Sequence, residues 1–598
     1  MFAPDHDYTL ETLPFDEVWA YDFEFIATPG NRPGPVCLVA HELKSGRELR
    51  LWQDQFGPWP PFDVGPKSLF VAFYASAEVG CHPVLGWQPP TCILDLFTEF
   101  RNSLNGLRLP EGVNYSLIGA LIAHGLEHLD VSEKEDMRAL ILRGGPWTSQ
   151  ERQAILDYCA SDVIALRRLL LAMLPNIDLG RALLRGRYMR AAGCMENYGI
   201  PIDVDTLTEW RANWLDIQDD LIAGINADYG GVYDENRSFS QQRFRDWLEA
   251  QEIPWPLLED GHLDLEDDTF REMERVYPII APLRAVRNML ADFRLGKITV
   301  GKDARNRTIL SAFRSTTGRN QPSNDRYVFG PTAFYRGLIK PEPGDSVAYI
   351  DYEQQEFAIA AALSGDRNMR DAYLSGDPYL AFAKQAGGIP EWGTKRSHGT
   401  DREGFKQTAL GVQYGMSAYG LAAKLKALGL DGSLANARNL LRMHREQFRE
   451  FWRWNTGAVN FAMLNGYLVT TLGWVVHVDR HTRHRSLANF LMQANGAEML
   501  RLACCLMVEA GLEVCGPIHD AVLLCAPVAR MDEDLALARK LMGDASKVIL
   551  NGFEVRTEAV TVNYPDRYMD EKRGRAMWDR VTALVAKARE RKQAAMGG

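Results

Sequence analysis

Two aspartates far apart in the chain each follow an apolar run: Asp351 in "SVAYIDYEQQEF" and Asp520 in "LEVCGPIHDAVLLCAP". The first run reads as a strand that delivers Asp351, Glu353 and Glu356 into the start of a helix. Three carboxylates so close repel one another, so a positive charge is expected beside them. The second reads as two strands joined as a hairpin between Pro517 and Asp520. If both strands share one sheet, Asp351 and Asp520 can meet at its edge and hold a hard cation through oxygen. Mg²⁺ bound by one or two carboxylates plus substrate phosphates is the usual arrangement for phosphoryl transfer. The alternative for Asp351 is a helix cap, a position that Asp favours.

A second acidic set lies near the N-terminus. "YDFEF" places Asp22 and Glu24 on one face of a strand, and "YCASD" places Tyr158 and Asp162 one helical turn apart. Further on, "DREGFKQTALGVQYGMSAYGL" sets Arg402, Lys406, Leu410 and Tyr414 at intervals of four. On a helix each lies about 40° round from the last, forming one slowly turning stripe. Its two cations could grip phosphates while the aromatic offers a flat surface to a base. The alternative is an ordinary amphipathic helix whose cations face water.

These residues need a large scaffold, and 598 residues are too many for one core. The composition, 46% hydrophobic and 24% charged, is that of a soluble globular protein. No apolar run matches a membrane span and the N-terminus lacks the plan of a signal peptide, so a cytoplasmic protein is expected. None of the nine cysteines forms a CxxC pair, which points to reduced core residues rather than zinc ligands or disulfides. A net charge of −11 argues against indiscriminate coating of nucleic acid. Local basic stretches exist: Arg305, Arg307, Arg314, Arg319, Arg326 and Arg336 within 302–340, "DRHTRHR" at 479–485, and the tail after Glu571. Each is either a solvated face or a set of phosphate contacts. The first 175 residues or so alternate strand-like and helical runs, an α/β pattern, and "LPNIDLG" reads as a hinge. A mostly helical stretch follows to about Lys297, and the remainder mixes strands around Asp351 and Asp520 with long helices.

The motifs carry a resemblance. "DYEQQEF" resembles the first palm motif of family A DNA polymerases, the bacterial DNA polymerase I family; "REGFKQTALGVQYG" resembles their fingers motif and "IHDA" their palm His-Asp-Glu motif. "TTGR" at 316–319 and "RSLANFLMQANGAEM" match further, in order, and the likeness runs from about Arg190 to Tyr568. It implies an α/β and α+β multidomain chain: a ribonuclease H-like exonuclease domain in residues 1–178, then a right-hand polymerase in 179–598. Thumb would fall at about 200–300, palm at about 301–370 and 490–570, fingers at about 371–489, and a basic tail at 571–598. Asp351 and Asp520, with Tyr352, would hold two Mg²⁺. Arg402 and Lys406 would grip the triphosphate, Lys406 acting in catalysis, and Tyr414 would stack near the nascent base pair. Gln354, Leu410, Asn489, Arg485, Arg319, Gln493 and His519 would line the nucleotide and the primer-template, and Glu356 would crowd the sugar 2′ carbon so that deoxynucleotides are preferred. Arg284, Arg287, Arg294 and Lys297 would track duplex phosphates. Three departures stand out: Leu410 replaces an aromatic, Ala521 replaces the Glu after the catalytic Asp, and Tyr379 stands where a phosphate-contacting His is common.

The N-terminal acids resemble the DxE and YxxxD motifs of proofreading 3′ to 5′ exonucleases, with Asp22, Glu24 and Asp162 holding two divalent ions and Tyr158 orienting water. The middle motif departs, and in "FYASAEVGCHP" Glu78 is expected as the replacement carboxylate, with Asp95 the alternative. A Glu78 lying in a surface turn would leave the exonuclease slow or absent. The resulting expectation is a DNA-directed DNA polymerase with proofreading, using Mg²⁺ or Mn²⁺, primer-template DNA and deoxynucleoside triphosphates. It is expected to be a monomer without a membrane partner. With the exonuclease motif starting at Asp22, no 5′ nuclease domain is expected, an economy that resembles phage replicative enzymes. The alternatives are an exonuclease with an inactive polymerase-like region, a phage polymerase adapted to a modified-base genome, a non-catalytic DNA-binding protein, and an RNA-synthesising enzyme, which Glu356 disfavours.

Overall fold

The computed structural model describes residues 8–127, 131–258, 260–292, 297–330, 333–413 and 415–597. Two sheets organise it. The first has five strands in the order Glu48–Trp52, Gly34–Glu42, Glu17–Ile26, Ser68–Ala72, Cys92–Asp95. The first three pair antiparallel and the last two join in parallel. Side-chain alternation along the central strand sends Val18 and Ala20 to one face, where the long helix Ser149–Met173 covers them. Trp19, Tyr21 and Phe23 go to the other face.

That second face does not close on itself. Its aromatics form one continuous core with Met189 and Ala192 of the helix Leu179–Tyr198 and with residues throughout the remainder of the chain. Gly186 of this helix lies so close to the sheet that a Cβ there would stand 1.8 Å from the Ile93 carbonyl oxygen. The "LPNIDLG" segment is a tight 3₁₀ turn at Leu174–Asn176, followed by Asp178, which caps that packed helix, so it is no open linker. Polar bolts tie the two halves. Arg185 meets Glu99 at 2.6 Å with both side chains under a tenth exposed. Arg307 donates to the carbonyls of Gly30, Asn197 and Tyr198, and Asn105 donates to those of Thr316 and Val475.

The second sheet is antiparallel, in the order Glu513–Ile518, Ala521–Pro527, Asp345–Tyr352, Thr557–Asn563. The helices His484–Glu509 and Met531–Ile549 pack on it. Several expected phosphate-tracking cations are instead used internally. Arg284 pairs with Asp267 and Glu274 at 2.8 and 2.7 Å. Arg287 lies over the rings of Phe239 and Phe270, and Lys297 meets Asp325 at 3.1 Å; Arg294 lies outside the described residues. Within 302–340, Arg305 pairs with Glu342 and Glu513, Arg307 with Asp303, and Arg336 with Asp570. The basic tail is a helix, Arg575–Gly597, whose Arg591 and Lys592 pair with Asp220 and Asp216. Its Trp578 fills the space that Gly337 leaves open and lies 4.7 Å from the Trp210 ring. Among the described residues no helix is long and apolar enough to cross a membrane.

The Arg185–Glu99 pair yields a stability prediction. Glu99→Ala strands a buried guanidinium and is expected to cost about 3–5 kcal/mol. Arg187→Ala, at the more exposed pair with Glu509, is expected to cost no more than about 1 kcal/mol. Melting temperatures by scanning calorimetry would rank them; equal shifts would show that the buried pair is not a brace.

Candidate catalytic sites

In the antiparallel sheet the strand Asp345–Tyr352 lies at the centre, with Tyr349 and Asp351 on its open face and Ile350 and Tyr352 buried on the other. Cross-strand register places Asp351 opposite Ala521 on one side and Glu558 on the other. His519 and Asp520 form the two-residue loop of the neighbouring hairpin, His519 at φ 55°, as such loops demand at one position or both. The Tyr352 N–H donates to the Asp520 carbonyl at 3.3 Å, which pins the loop beside the strand. The two aspartates therefore converge at the sheet edge.

Charge at this edge is allotted unevenly. Glu353 has Arg556 at 3.1 Å, and Glu356 has Arg319 at 3.9 Å. Asp351 instead faces Asp520 and Glu558. Burial, then the Asp520 charge, then that of Glu558 push its carboxyl up to about 7. Burial also raises Asp520, partly offset by Arg319. The two carboxyls are close enough to hydrogen-bond each other. Asp351 Oδ1 is nonetheless buried without a hydrogen-bond partner, as are Gln354 Oε1, Arg319 Nε and Asn489 Oδ1. Folded proteins pair nearly all such atoms, so an unpaired oxygen on Asp351 itself, with the Nε of Arg319, whose charge acts on Asp520, fits a site built for a cation and a polar ligand. Asp351 is not a helix cap: Gln354, at φ 47°, takes that place before Gln355–Ser364. The Tyr352 phenol donates to the Met542 carbonyl on the far side of the sheet, so only the main chain of Tyr352 can reach an ion.

The helix Gly399–Gln413 buries Phe405, Gln407, Thr408, Ala409 and Val412 and leaves Arg402, Lys406 and Leu410 partly open on one stripe. Tyr414 lies outside the described residues. Arg402 is held by Asp377 at 2.6 Å and lies 5.5 Å from the ring of Tyr379. The Glu356 charge acts on that same Tyr379, so the cationic stripe borders the cleft that holds the aspartates. Lys406 is 3.7 Å from Glu403 and a third exposed. On the helix His484–Glu509, Arg485, Asn489 and Gln493 recur every four residues and are exposed or partly so. A cavity of about 1210 Å³ runs from Phe25 and Tyr74, beside the first sheet, to Arg319 and His519.

The N-terminal acids also come together. Asp22 and Glu24 project from the same face of the central strand, and their oxygens and Cys159 Sγ lie within 4.8 Å of one another. Glu78 is not in a surface turn: it is buried on the helix Ser76–Val84, where one of its oxygens accepts the Phe23 N–H at 2.7 Å. Asp95 is fully engaged elsewhere, accepting from the N–H groups of Tyr74, Ala75 and Thr98 as the cap of Leu96–Leu104. Burial raises Asp22 to about 8, and the Asp162 charge adds to this. Burial and the Asp22 charge raise Glu24 and Glu78 well above the usual carboxylate range. Tyr158 lies within reach of Asp162, Glu24 and Asp22. Two charged residues escaped the sequence reading, Glu558 beside Asp351 and Lys134 on Asp162. Neither belongs to a recognisable motif; only strand register and helix packing bring them in.

Residues 330–563 match the model of DNA polymerase family A. DNA polymerase I of Chloroflexus aurantiacus is 24% identical over 403 residues, covering 61% of this chain and 41% of that protein. A DNA polymerase of a Mycobacterium phage is 28% identical over 220 residues, 36% of this chain and 35% of that one. DNA polymerase I of Aquifex aeolicus is 24% identical over 449 residues, 68% of this chain and 75% of that protein. Among solved structures, the POL domain of Pol1 from M. smegmatis, in complex with DNA primer-template and dNTP, aligns over 90% of this chain and 94% of its own. Its TM-score is 0.64 at 20% identity, a likeness of fold. The match to the DNA polymerase family A model falls on residues 330–563, which hold both converging aspartates and the cationic helix stripe.

Proposed function

We propose that the chain is a DNA-directed DNA polymerase with a 3′ to 5′ proofreading exonuclease, acting in phage genome replication. The observation that carries the polymerase reading is the meeting of Asp351 and Asp520, where Asp351 faces the charges of Asp520 and Glu558 while Glu353 and Glu356 each have an arginine. Divalent ions held there would acidify the primer 3′-hydroxyl and steady charge on the transferring phosphate. The protein's own groups do the positioning. Arg402 and Lys406 bind the triphosphate, Arg402 exchanging Asp377 for phosphate oxygens. Glu356, held near Arg319, fills the space that a ribose 2′-hydroxyl needs. Arg319, Arg485, Asn489 and Gln493 line the primer-template with Gln354 and His519. Leu410 lends the nucleotide an apolar wall.

The exonuclease reading rests on the burial of Asp22, Glu24, Glu78 and Asp162 in one cluster with Tyr158 beside it. The sheet order, three antiparallel strands followed by two parallel ones, supports a ribonuclease H-like domain. The open cavity running from Phe25 and Tyr74 to Arg319 and His519 supports a path for a frayed strand end between the two regions. The phage role is supported by the match to a phage polymerase.

Asp351→Asn or Asp520→Asn is expected to lower primer extension by about three orders of magnitude while a labelled strand is still degraded from its 3′ end; extension near the parent rate would refute the assignment. Glu356→Ala should raise the relative use of ribonucleotides by about 10- to 100-fold, measured as the ratio of kcat/KM values, and an unchanged ratio would place the sugar gate elsewhere. A third expectation concerns pH. Folding raises Asp351 to about 7 and Asp22 to about 8, so the ion-free fold keeps protons that the unfolded chain releases near pH ~4. The stability from these protons is complete at low pH and is lost as pH rises through those values. A divalent ion replaces the protons, so the gain in Tm from Mg²⁺ over EDTA should grow between about pH 5.5 and about pH 8.5. A gain that shrinks over that range would contradict ion binding at these carboxylates.

A further inference from the structure

Lys134 lies on the helix Val131–Arg143, outside every motif of the exonuclease reading. Its Nζ donates to both carboxylate oxygens of Asp162, at 2.8 and 3.0 Å, with the two side chains only 21% and 13% exposed. It stands 5.7 Å from the ring centroid of Tyr158, and its charge also acts on Asp22 and Glu24. The ammonium thus sits inside the acidic cluster rather than at its rim.

The cluster has two places where a cation would be stabilised. One lies at Asp22 and Glu24, whose oxygens come within 4.8 Å of each other and of Cys159 Sγ. The other lies at Asp162, and there both oxygens are taken by Lys134. A divalent ion at Asp162 would have to displace the ammonium or share its ligand at close range, and repulsion between the two charges in so buried a place is large. We propose that Lys134 is a built-in cation occupying one of the two ion positions of this site, so that the site loads a single divalent ion, at Asp22 and Glu24. The inference rests on reading the cluster as a metal-dependent exonuclease site. Lys134 then holds fixed positive charge beside the position where the scissile phosphate gains negative charge, without a second ion having to be recruited.

The test counts ions directly. Full-length protein carrying Asp351→Asn and Asp520→Asn, so that only the N-terminal cluster is counted, is titrated with MnCl₂ and free Mn²⁺ is followed by electron paramagnetic resonance. One bound ion is expected. Adding Lys134→Ala should raise the count to two, with the broadened signal of a coupled Mn²⁺ pair, whereas Lys134→Arg should keep it at one. Circular dichroism checks that each variant is folded, and Lys134→Met serves should the alanine variant not fold. Two ions in the protein that retains Lys134 would overturn the proposal and leave the exonuclease reading standing. A single ion in both folded Lys134→Ala and Lys134→Met would overturn it too, since the lysine would not be what excludes the second ion. No bound ion in any of these proteins would overturn both.

Discussion

Burying like charges together is among the costliest things a fold can do, and this chain does it twice. Elsewhere it gives several acids a counter-charge: Arg185 for Glu99, Arg556 for Glu353, Arg319 for Glu356, Arg402 for Asp377. At Asp351 and Asp520, and again at Asp22, Glu24 and Glu78, carboxylates face one another, with Arg319 beside Asp520 and Lys134 on Asp162 partly offsetting them. Burial and mutual repulsion raise these carboxyls above their usual range. The same clusters are the places where a divalent ion has the most to gain by binding, because each proton it releases was kept only by burial and repulsion.

The scaffold accepts local strain to bring these acids together. The non-glycine residues next to the two aspartates of the second sheet include two with positive φ, Gln354 at 47° and His519 at 55°. Neither conformation is comfortable for a side chain, and both turn the chain sharply where a strand ends. Register does the rest: a slip by one residue in the strand Asp345–Tyr352 would send Asp351 to the buried face and Tyr352 into the cleft. The helix Leu179–Tyr198, packed against both sheets through Gly186 and a core that spans them, fixes the two acidic sites relative to each other.

Departures from the family pattern acquire a physical meaning in this setting. Ala521 removes a carboxylate from one side of Asp351, yet Glu558 supplies negative charge from the strand on the other side. Tyr379 does not leave a hole: it is buried against Phe357, and Arg402 lies over it. Arg402 is a cation held at the edge of the cleft by Asp377. The basic runs, by contrast, are spent in part on neighbouring acids, by Arg305, Arg307 and Arg336 and by Arg591 and Lys592 of the Arg575–Gly597 helix, while Arg314, Arg326 and the arginines of 479–485 stay exposed.

The sequence by itself determined which candidate residues share a face wherever that depends on local periodicity. Alternation along "AYIDY" and "YDFEF", a stripe of period four in "REGFKQTALG", and a tight turn at "PIHDA" are properties of a few consecutive residues, and each element formed where the pattern required. Tertiary structure alone decided how charges are shared, because that depends on residues hundreds of positions apart. It put Glu78 rather than Asp95 in the N-terminal cluster, Glu558 across from Asp351 and Lys134 on Asp162, and it withdrew Arg284 and Arg287 into internal contacts. Spacing along a chain reports which face a side chain takes, but only the packing of one element on another sets the distance between two charges, and the Coulomb energy follows that distance.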